Sequence, residues 1–295
     1  MNLNGLPISK PMDNYSTGFL LREQTLKLSN EVERPYDHAL VLLAHVLGES
    51  KSWVLAHPDL YLSQRQILEL SDLTARLAKG EPLAYLTGKQ AFFGLDFKVN
   101  QFALIPRPET EMMVEEALAW LKGHPDARQG IDLGTGSGCV AVSLVLNCPD
   151  LHMCAADISP KSLMVAIENA IAQGCDDRIR FTQSNLFADV TRKFNLVCAN
   201  LPYIPSDEVA AVNSLPFEPR LALDGGLSGL ELIERSMLES RAHLLVPFLL
   251  VFEFQSDKVS EVEKLAEKYY PHADRRILKD LAGLDRIIRI EESLL

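Results

Sequence analysis

The five cysteines, Cys139, Cys148, Cys154, Cys175 and Cys198, form no CxxC pair, and the seven histidines form no HExxH. Both absences speak against a zinc site, and no metal is expected. Scattered cysteines read as small buried residues in a reducing compartment, so the expected location is cytoplasmic. No apolar run reaches the roughly 18 residues of a membrane span. The longest, HLLVPFLLVFEF, reads as a core strand. The opening stretch MNLNGLPISKPMDN has no apolar core behind a basic start and is not arginine-rich. Neither a secretory signal nor a transit peptide is expected from it. Basic charge is also short: the formal net charge is −11. An acidic chain is not built to grip nucleic acid mainly through phosphates. Repeats and low-complexity segments are missing as well.

What is present suggests two domains, for which 295 residues suffice. Residues 1–85 read as a small helical bundle. PYDHALVLLAHVLG places Leu40, Leu43, Val46 and Leu47 on one stripe. SQRQILELSDLTARLAKG opens on a Ser63/Gln66 capping box, carries Leu70, Leu73 and Leu77 on one face, and closes on Gly80. This region holds eight Lys and Arg against ten Asp and Glu, net −2, so it is no basic clamp. Its expected role is to recognise a partner or cover a site. FFGLDFKVNQFALIP (92–106) alternates around a glycine and reads as strands or a hairpin, within a linker over 86–106. From 107 to the end, apolar runs at 130–133, 152–158, 179–182, 194–199, 247–254 and 284–290 alternate with helical stretches. Ser159-Pro160 starts one helix and Gly174 stops it. Strand–helix alternation implies a mostly parallel α/β sheet, whose ligands sit beyond the carboxyl ends of the strands.

IDLGTGSGC (131–139) is a strand end, three alternating glycines and a helix start. Glycines let backbone approach a ligand closely. The nicotinamide fingerprint G-x-G-x-x-G is broken by Cys139 at its sixth position. Asp132 beside the loop would repel a pyrophosphate and suits a ligand carrying an ammonium group, such as the methionine part of S-adenosylmethionine. Asp157 ends the next strand, twenty-three residues after Gly134. An acid at about that distance accepts ribose hydroxyls. After the third strand, Asn185 is placed to bond an adenine amino edge and Leu186 to pack on the ring.

FNLVCANLPYIP (194–205) ends a fourth apolar strand in Asn200, Leu201, Pro202 and Tyr203. Methyl transfer from a sulfonium needs in-line attack with the atoms held near 3 Å. A planar amide or exocyclic nitrogen is a poor nucleophile because its lone pair is delocalised. Two acceptors on its N–H groups would orient that lone pair and stabilise the developing charge. Asn200 Oδ1 and the Leu201 carbonyl are the two candidates, with Tyr203 available to lie on the planar group. No general base of perturbed pKa is required before transfer.

This order of motifs resembles class I S-adenosylmethionine-dependent methyltransferases, and NLPY resembles their Asn-Pro-Pro-Tyr motif for amide or amino nitrogens. EPLAYLTGKQAFFGLDFKV, LIPRPETE, FEPRLALDGGLSGL and LKDLAGLDRIIRI are similar to the release-factor glutamine methyltransferases, the PrmC or HemK family, over roughly residues 35–290. The resemblance implies a Rossmann-like seven-stranded α/β sheet with one antiparallel strand, behind a small all-helical N-terminal domain. It implies N5-methylation of the glutamine in the Gly-Gly-Gln loop of peptide chain release factors, with S-adenosylhomocysteine as the product. Asp132, Gly134, Thr135, Gly136, Ser137, Gly138, Asp157, Asn185, Leu186 and Asn200 would then hold the cofactor. Asn200 to Tyr203 would cradle the glutamine, with Arg107 to Glu111, Glu109 among them, lining the site from the linker. The family often has Asp where Asn185 stands, and Leu201 replaces the first proline of the motif. Ribosomal-protein or nucleic-acid methylation and a non-catalytic partner role are the competing readings.

Overall fold

In strand after strand of the second half, neighbouring residues point to opposite faces, the period-two signature of a sheet covered on both sides. Leu196, Cys198, Leu249, Val251 and Ile287 belong to one core cluster. Val197, Ala199, Leu250, Phe252 and Ile288 belong to the other. The structure is a computed structural model describing residues 15–211 and 217–292. Residues 1–14, on which the signal-peptide expectation rests, lie outside the described residues. The chain divides into two compact units, Met1–Thr87 and Gly88–Leu295.

The first unit is helical: α1 (Thr17–Leu28), α2 (Pro35–Leu47), α3 (Lys51–Ala56), α4 (Gln64–Leu77) and α5 (Leu83–Thr87). Both sides of the Ser63/Gln66 capping box are formed. Gly48 ends α2 in a left-handed conformation, with its amide returned to Ala44 and His45. Leu40, Leu43, Leu70, Leu73 and Leu77 are buried in one cluster, and Val46 and Leu47 pack against it half-buried.

In the second unit a hairpin comes first, β1 (Lys89–Phe92) and β2 (Leu95–Lys98). Phe93 and Gly94 both have positive φ, the geometry of a tight two-residue hairpin turn. The pairing therefore closes earlier than the alternation over 92–106 suggests, and residues 99–106 follow without regular structure. Then come α6 (Glu111–Gly123), β3 (Gln129–Leu133), α7 (Cys139–Asn147), β4 (His152–Asp157), α8 (Pro160–Ala172), β5 (Ile179–Gln183), β6 (Phe194–Ala199), α9 (Glu231–Ser240), β7 (Leu244–Glu253), α10 (Val259–Tyr269), β8 (Asp274–Lys279) and β9 (Asp285–Glu292). Strand order is β5-β4-β3-β6-β7-β9-β8. β9 alone runs against the direction of the other six strands of this sheet. β8 is the one strand of this sheet that the apolar runs did not mark. Its residues DRRILK are half-exposed at the sheet edge.

The topology fixes where a ligand binds. The chain steps outward from β3 through β4 to β5, then returns to lay β6 on the other side of β3. The crevice at that reversal lies beyond the carboxyl ends of β3, β4 and β6. Asn169, buried on α8, ties this region together. Its side chain accepts from the Lys98 amide at 2.7 Å and donates to the Lys98 and Ser137 carbonyls, both at 2.9 Å. The exit of the hairpin and the glycine loop are thus pinned to one helix.

Candidate active site

A cavity of about 400 Å³ opens at the strand reversal, within the size range of small-molecule sites. Asp132, Gly134, Thr135, Gly136, Ser137, Asp157, Asn185, Leu186, Asn200, Leu201, Pro202 and Arg107 all line it. Residues proposed from widely separated stretches are thereby brought together. Glu109, Gly138 and Tyr203 stand outside the lining. Gly138 has a packing reason: φ is +80°, and a β-carbon would sit 3.0 Å from the Ala166 side chain on α8. Tyr203 turns its ring toward the core cluster that contains Ile233 and Phe252.

Four amides of the glycine loop are already engaged within the protein. Gly134 and Thr135 N–H donate to the Ala156 carbonyl at 2.8 and 3.0 Å, and Gly138 N–H to the Thr135 carbonyl at 2.8 Å. Gly136 N–H donates to Asp157 Oδ2 at 2.9 Å. A phosphate cradle needs such amides pointing at the ligand, and these four do not supply one. Asp157 Oδ1 accepts from Ser159 N–H at 2.8 Å. Each of its oxygens keeps further lone-pair capacity toward the cavity. Burial raises its pKa, against the two backbone amides that favour the charge.

Asp132 is 2 % exposed. It accepts from the Thr135 hydroxyl at 2.6 Å. Burial pushes its carboxyl up to about 7, opposed by Thr135 and the Ala141 amide. Leu186 is buried with φ +56°, a conformation costly for a branched residue and often found where a site dictates the backbone. Its carbonyl is held by the Ser184 hydroxyl at 2.8 Å. Asn185 is exposed at the rim, where Oδ1 receives Arg235 Nη1 at 3.4 Å.

At the end of β6, Asn200 Nδ2 donates to Thr110 Oγ1 at 2.8 Å. Thr110 donates to Glu253 Oε2 at 2.7 Å, and the Tyr203 hydroxyl to Glu253 Oε1 at 3.2 Å. Glu253 is 1 % exposed, and burial raises its pKa. From the linker side, Arg107 Nη2 meets the buried Glu218 at 2.6 Å. Glu111 turns away and accepts the Phe93 amide of the hairpin turn at 2.8 Å. Thr110 was expected only as part of the 107–111 stretch, and Glu218 and Glu253 were not singled out from sequence. Glu253 carried a usable signal: like Asp157 and Asn200, it is a polar residue closing a buried strand.

The sheet order, glycine loop and acidic second strand define a methyltransferase fold. The PrmC N-terminal domain model matches residues 20–88 and the methyltransferase small domain model residues 112–215. The release factor glutamine methyltransferase of Nitratidesulfovibrio vulgaris is 36% identical over 282 residues, covering 94% of this chain and 95% of the relative. That of Moorella thermoacetica is 40% identical over 262 residues, covering 86% and 90%. Among solved structures, the hMettl16 catalytic domain in complex with MAT2A 3'UTR hairpin 1 shares the fold, with TM-score 0.56 and 14% identity, covering 96% of this chain and 92% of that one. The chain belongs to the release factor glutamine methyltransferase family.

Proposed function

We propose that this chain transfers a methyl group from S-adenosylmethionine to the side-chain nitrogen of the glutamine in the Gly-Gly-Gln loop of a peptide chain release factor. The observation that carries the reading is the committed Asn200 amide. Its Nδ2 is engaged by Thr110, so Oδ1 is turned to serve as an acceptor for an incoming amide N–H. The cavity fits the cofactor on its own terms. It offers the carboxylates Asp132 and Asp157 and a glycine loop with occupied amides, which suits a nucleoside bearing an ammonium group and not a polyphosphate.

When bound, S-adenosylmethionine supplies a sulfonium-activated methyl whose bonding electrons return to sulfur on transfer, leaving S-adenosylhomocysteine. The protein's part is to hold and orient. Asp157 would accept ribose hydroxyls, Leu186 would pack on the base, and Asn185 would meet its amino edge. Asn200 Oδ1 and the Leu201 carbonyl would accept the two N–H groups of the glutamine amide, aligning the nitrogen lone pair with the methyl. Charge growing on that nitrogen is stabilised by the same acceptors, and its surplus proton leaves after the N–C bond has formed. Arg107 sits at the linker wall of the cavity, near the path of an entering loop. The partner is a protein, and the location is cytoplasmic. No nucleic acid is required, and no helix among the described residues is long and apolar enough to cross a membrane.

The test is transfer of labelled methyl to purified release factor, to a variant with the loop glutamine changed, to ribosomal protein and to rRNA. Label is expected on the unmodified release factor alone. Label kept by the glutamine variant, or found only on RNA or ribosomal protein, would overturn the reading.

Asp132 adds a pH signature. Its folded pKa of about 7 lies above the ordinary carboxylate value, so between the two the folded, empty site binds more protons than the unfolded chain. The carboxyl's contribution to stability is therefore present at low pH and lost as pH rises toward 7. A cationic ligand beside it favours the ionised form. Affinity for S-adenosylmethionine is expected to climb from about pH 5.5 to about pH 7.5 and then level. In Asp132→Asn, which keeps an acceptor for Thr135, binding should be weaker and the slope flattened. Calorimetry across that range decides it, and an unchanged slope in the variant would refute the assignment to Asp132.

A further inference from the structure

The amide of Asn200 is nearly symmetric in shape, so its carbonyl and amino ends can exchange by a half-turn at little steric cost. The proposed chemistry needs only one of the two orientations. Thr110 Oγ1 receives Nδ2 at 2.8 Å, but a hydroxyl both donates and accepts. By itself it would serve either end of the amide. Its single hydrogen is, however, already committed to Glu253 Oε2 at 2.7 Å. Glu253 takes a second hydrogen from the Tyr203 hydroxyl on its other oxygen. With both of its oxygens taken up as acceptors, Glu253 returns no hydrogen to Thr110. Thr110 is left with lone pairs only, and Asn200 must present its amino end to them.

We propose that Thr110 and Glu253 form a positioning relay that fixes which end of the Asn200 amide faces the substrate. Three chain segments meet in it: the turn Pro108–Thr110, the end of β6 and the end of β7. The register explains the meeting. Ala199 on β6 pairs with Phe252 on β7, so the next residues, Asn200 and Glu253, leave the sheet side by side. Glu253 does not line the cavity, and it acts through its neighbours. It also receives Tyr203, so both ends of the NLPY stretch hang from one buried carboxylate. A buried carboxylate is costly unless its oxygens are satisfied. Here each oxygen has a hydroxyl donor, and Arg286 favours the charge while Glu109 opposes it. The raised pKa of the group is the residue of that burial.

The relay rests on the reading of Asn200 as the acceptor of the substrate amide. The variant that isolates it is Thr110→Val in the full-length protein, which keeps the branched shape and removes the hydroxyl. Thr110→Ser restores the hydroxyl and serves as the rescue. In Thr110→Val, kcat on release factor is expected to fall about tenfold or more, while the dissociation constant for S-adenosylmethionine stays within about twofold. Thr110→Ser should recover turnover to within about threefold of wild type. Thr110→Val turning over like wild type, or Thr110→Ser as impaired as Thr110→Val, would overturn the proposal. A second readout does not depend on the substrate. In the wild-type protein the Asn200 side-chain amide protons should give a shifted, slowly exchanging pair in nitrogen-resolved NMR. Thr110→Val should collapse that signature and Thr110→Ser should retain it. If wild-type protein methylates no release factor, the substrate reading falls, and the amide signature still decides the relay: persistence of the wild-type signature in Thr110→Val sinks it.

Discussion

Asn200→Ala is expected to reduce methyl transfer to release factor by about 10²–10³-fold or more while leaving cofactor binding nearly intact. The magnitude follows from removing one preorganised hydrogen-bonding group aimed at developing charge. The selectivity follows from the layout. Asn200 itself apart, the groups assigned to the cofactor stand on β3, the glycine loop after it, β4 and the turn after β5, and the side-chain and carbonyl partners of Asp132, Asp157, Asn185 and Leu186 are Thr135, Ala141, Gly136, Ser159, Arg235 and Ser184. None of those bonds involves Asn200. The truncation strands one lone pair on Thr110, which costs about 1–3 kcal/mol of stability if water does not replace the donor. Asn200→Asp is not a mild alternative. With Thr110's hydrogen held by Glu253, an aspartate would face acceptor against acceptor and place a second carboxylate beside a buried one. It should be as inactive as the alanine variant, and less stable. The measurement is single-turnover transfer paired with calorimetric titration of the cofactor. Turnover like wild type in Asn200→Ala would show that another group orients the acceptor. Equal loss of cofactor affinity would place Asn200 in the cofactor's binding and not in the transfer step.

Much of this site is legible in the sequence because strand ends are punctuated. Asp132, Asp157 and Asn200 each interrupt a buried apolar run, and the α/β alternation says that such ends converge. The glycine loop is legible for a related reason: Gly134, Gly136 and Gly138 all have positive φ, which other residues adopt only with strain. What is not legible is pairing across the chain. Thr110 looks like an ordinary residue at a helix start; the register of β6 on β7 sets Asn200 beside Glu253, and the turn before α6 brings Thr110 within hydrogen-bond reach of both. Leu201 teaches the same lesson. From sequence, its replacement of a proline is a matter of φ rigidity. In the fold its side chain is 4 % exposed, and a β-carbon built on Gly134 would lie 3.0 Å from its Cδ2. The leucine side chain therefore fills space against the glycine turn, a role set by volume that no local rule anticipates. The hairpin around Gly94 is legible from its glycine and the alternation beside it, whereas the half-exposed strand β8 lacks the apolar run that marks a buried strand.

Gly229→Ala is expected to be the most damaging single methyl group outside the cavity lining. The segment Asp224–Gly229 lies directly on the backbone of the NLPY stretch. Ile204 N–H donates to the Leu223 carbonyl at 3.1 Å, and Gly225 N–H donates to the Ile204 carbonyl at 2.9 Å. A β-carbon on Gly225 would fall 2.6 Å from the Pro202 carbonyl oxygen, and one on Gly229 only 2.2 Å from the Tyr203 carbonyl oxygen. Those obstacles are backbone atoms, which cannot rotate aside, so the tetrapeptide itself must shift. A displacement of about 1 Å in a catalytic alignment costs about 10²-fold in rate, and that is the loss expected in kcat. Left-handed strain contributes separately, since Gly229 has φ +80°. Gly283→Ala separates the two effects. Its φ of +79° is equivalent, and nothing lies within 4 Å of the added carbon. It should lose about 1–2 kcal/mol of stability through backbone strain alone and keep wild-type turnover. Gly229→Ala should lose comparable or greater stability and also lose the reaction, with cofactor affinity within a few-fold because the glycine loop is on another segment. Matching kinetics in the two variants would mean that the contact with Tyr203 does not position the acceptor site. A selective loss in Gly229→Ala would show that the alignment of Asn200 is held from below by the DGGLSG segment as well as from the side by Thr110.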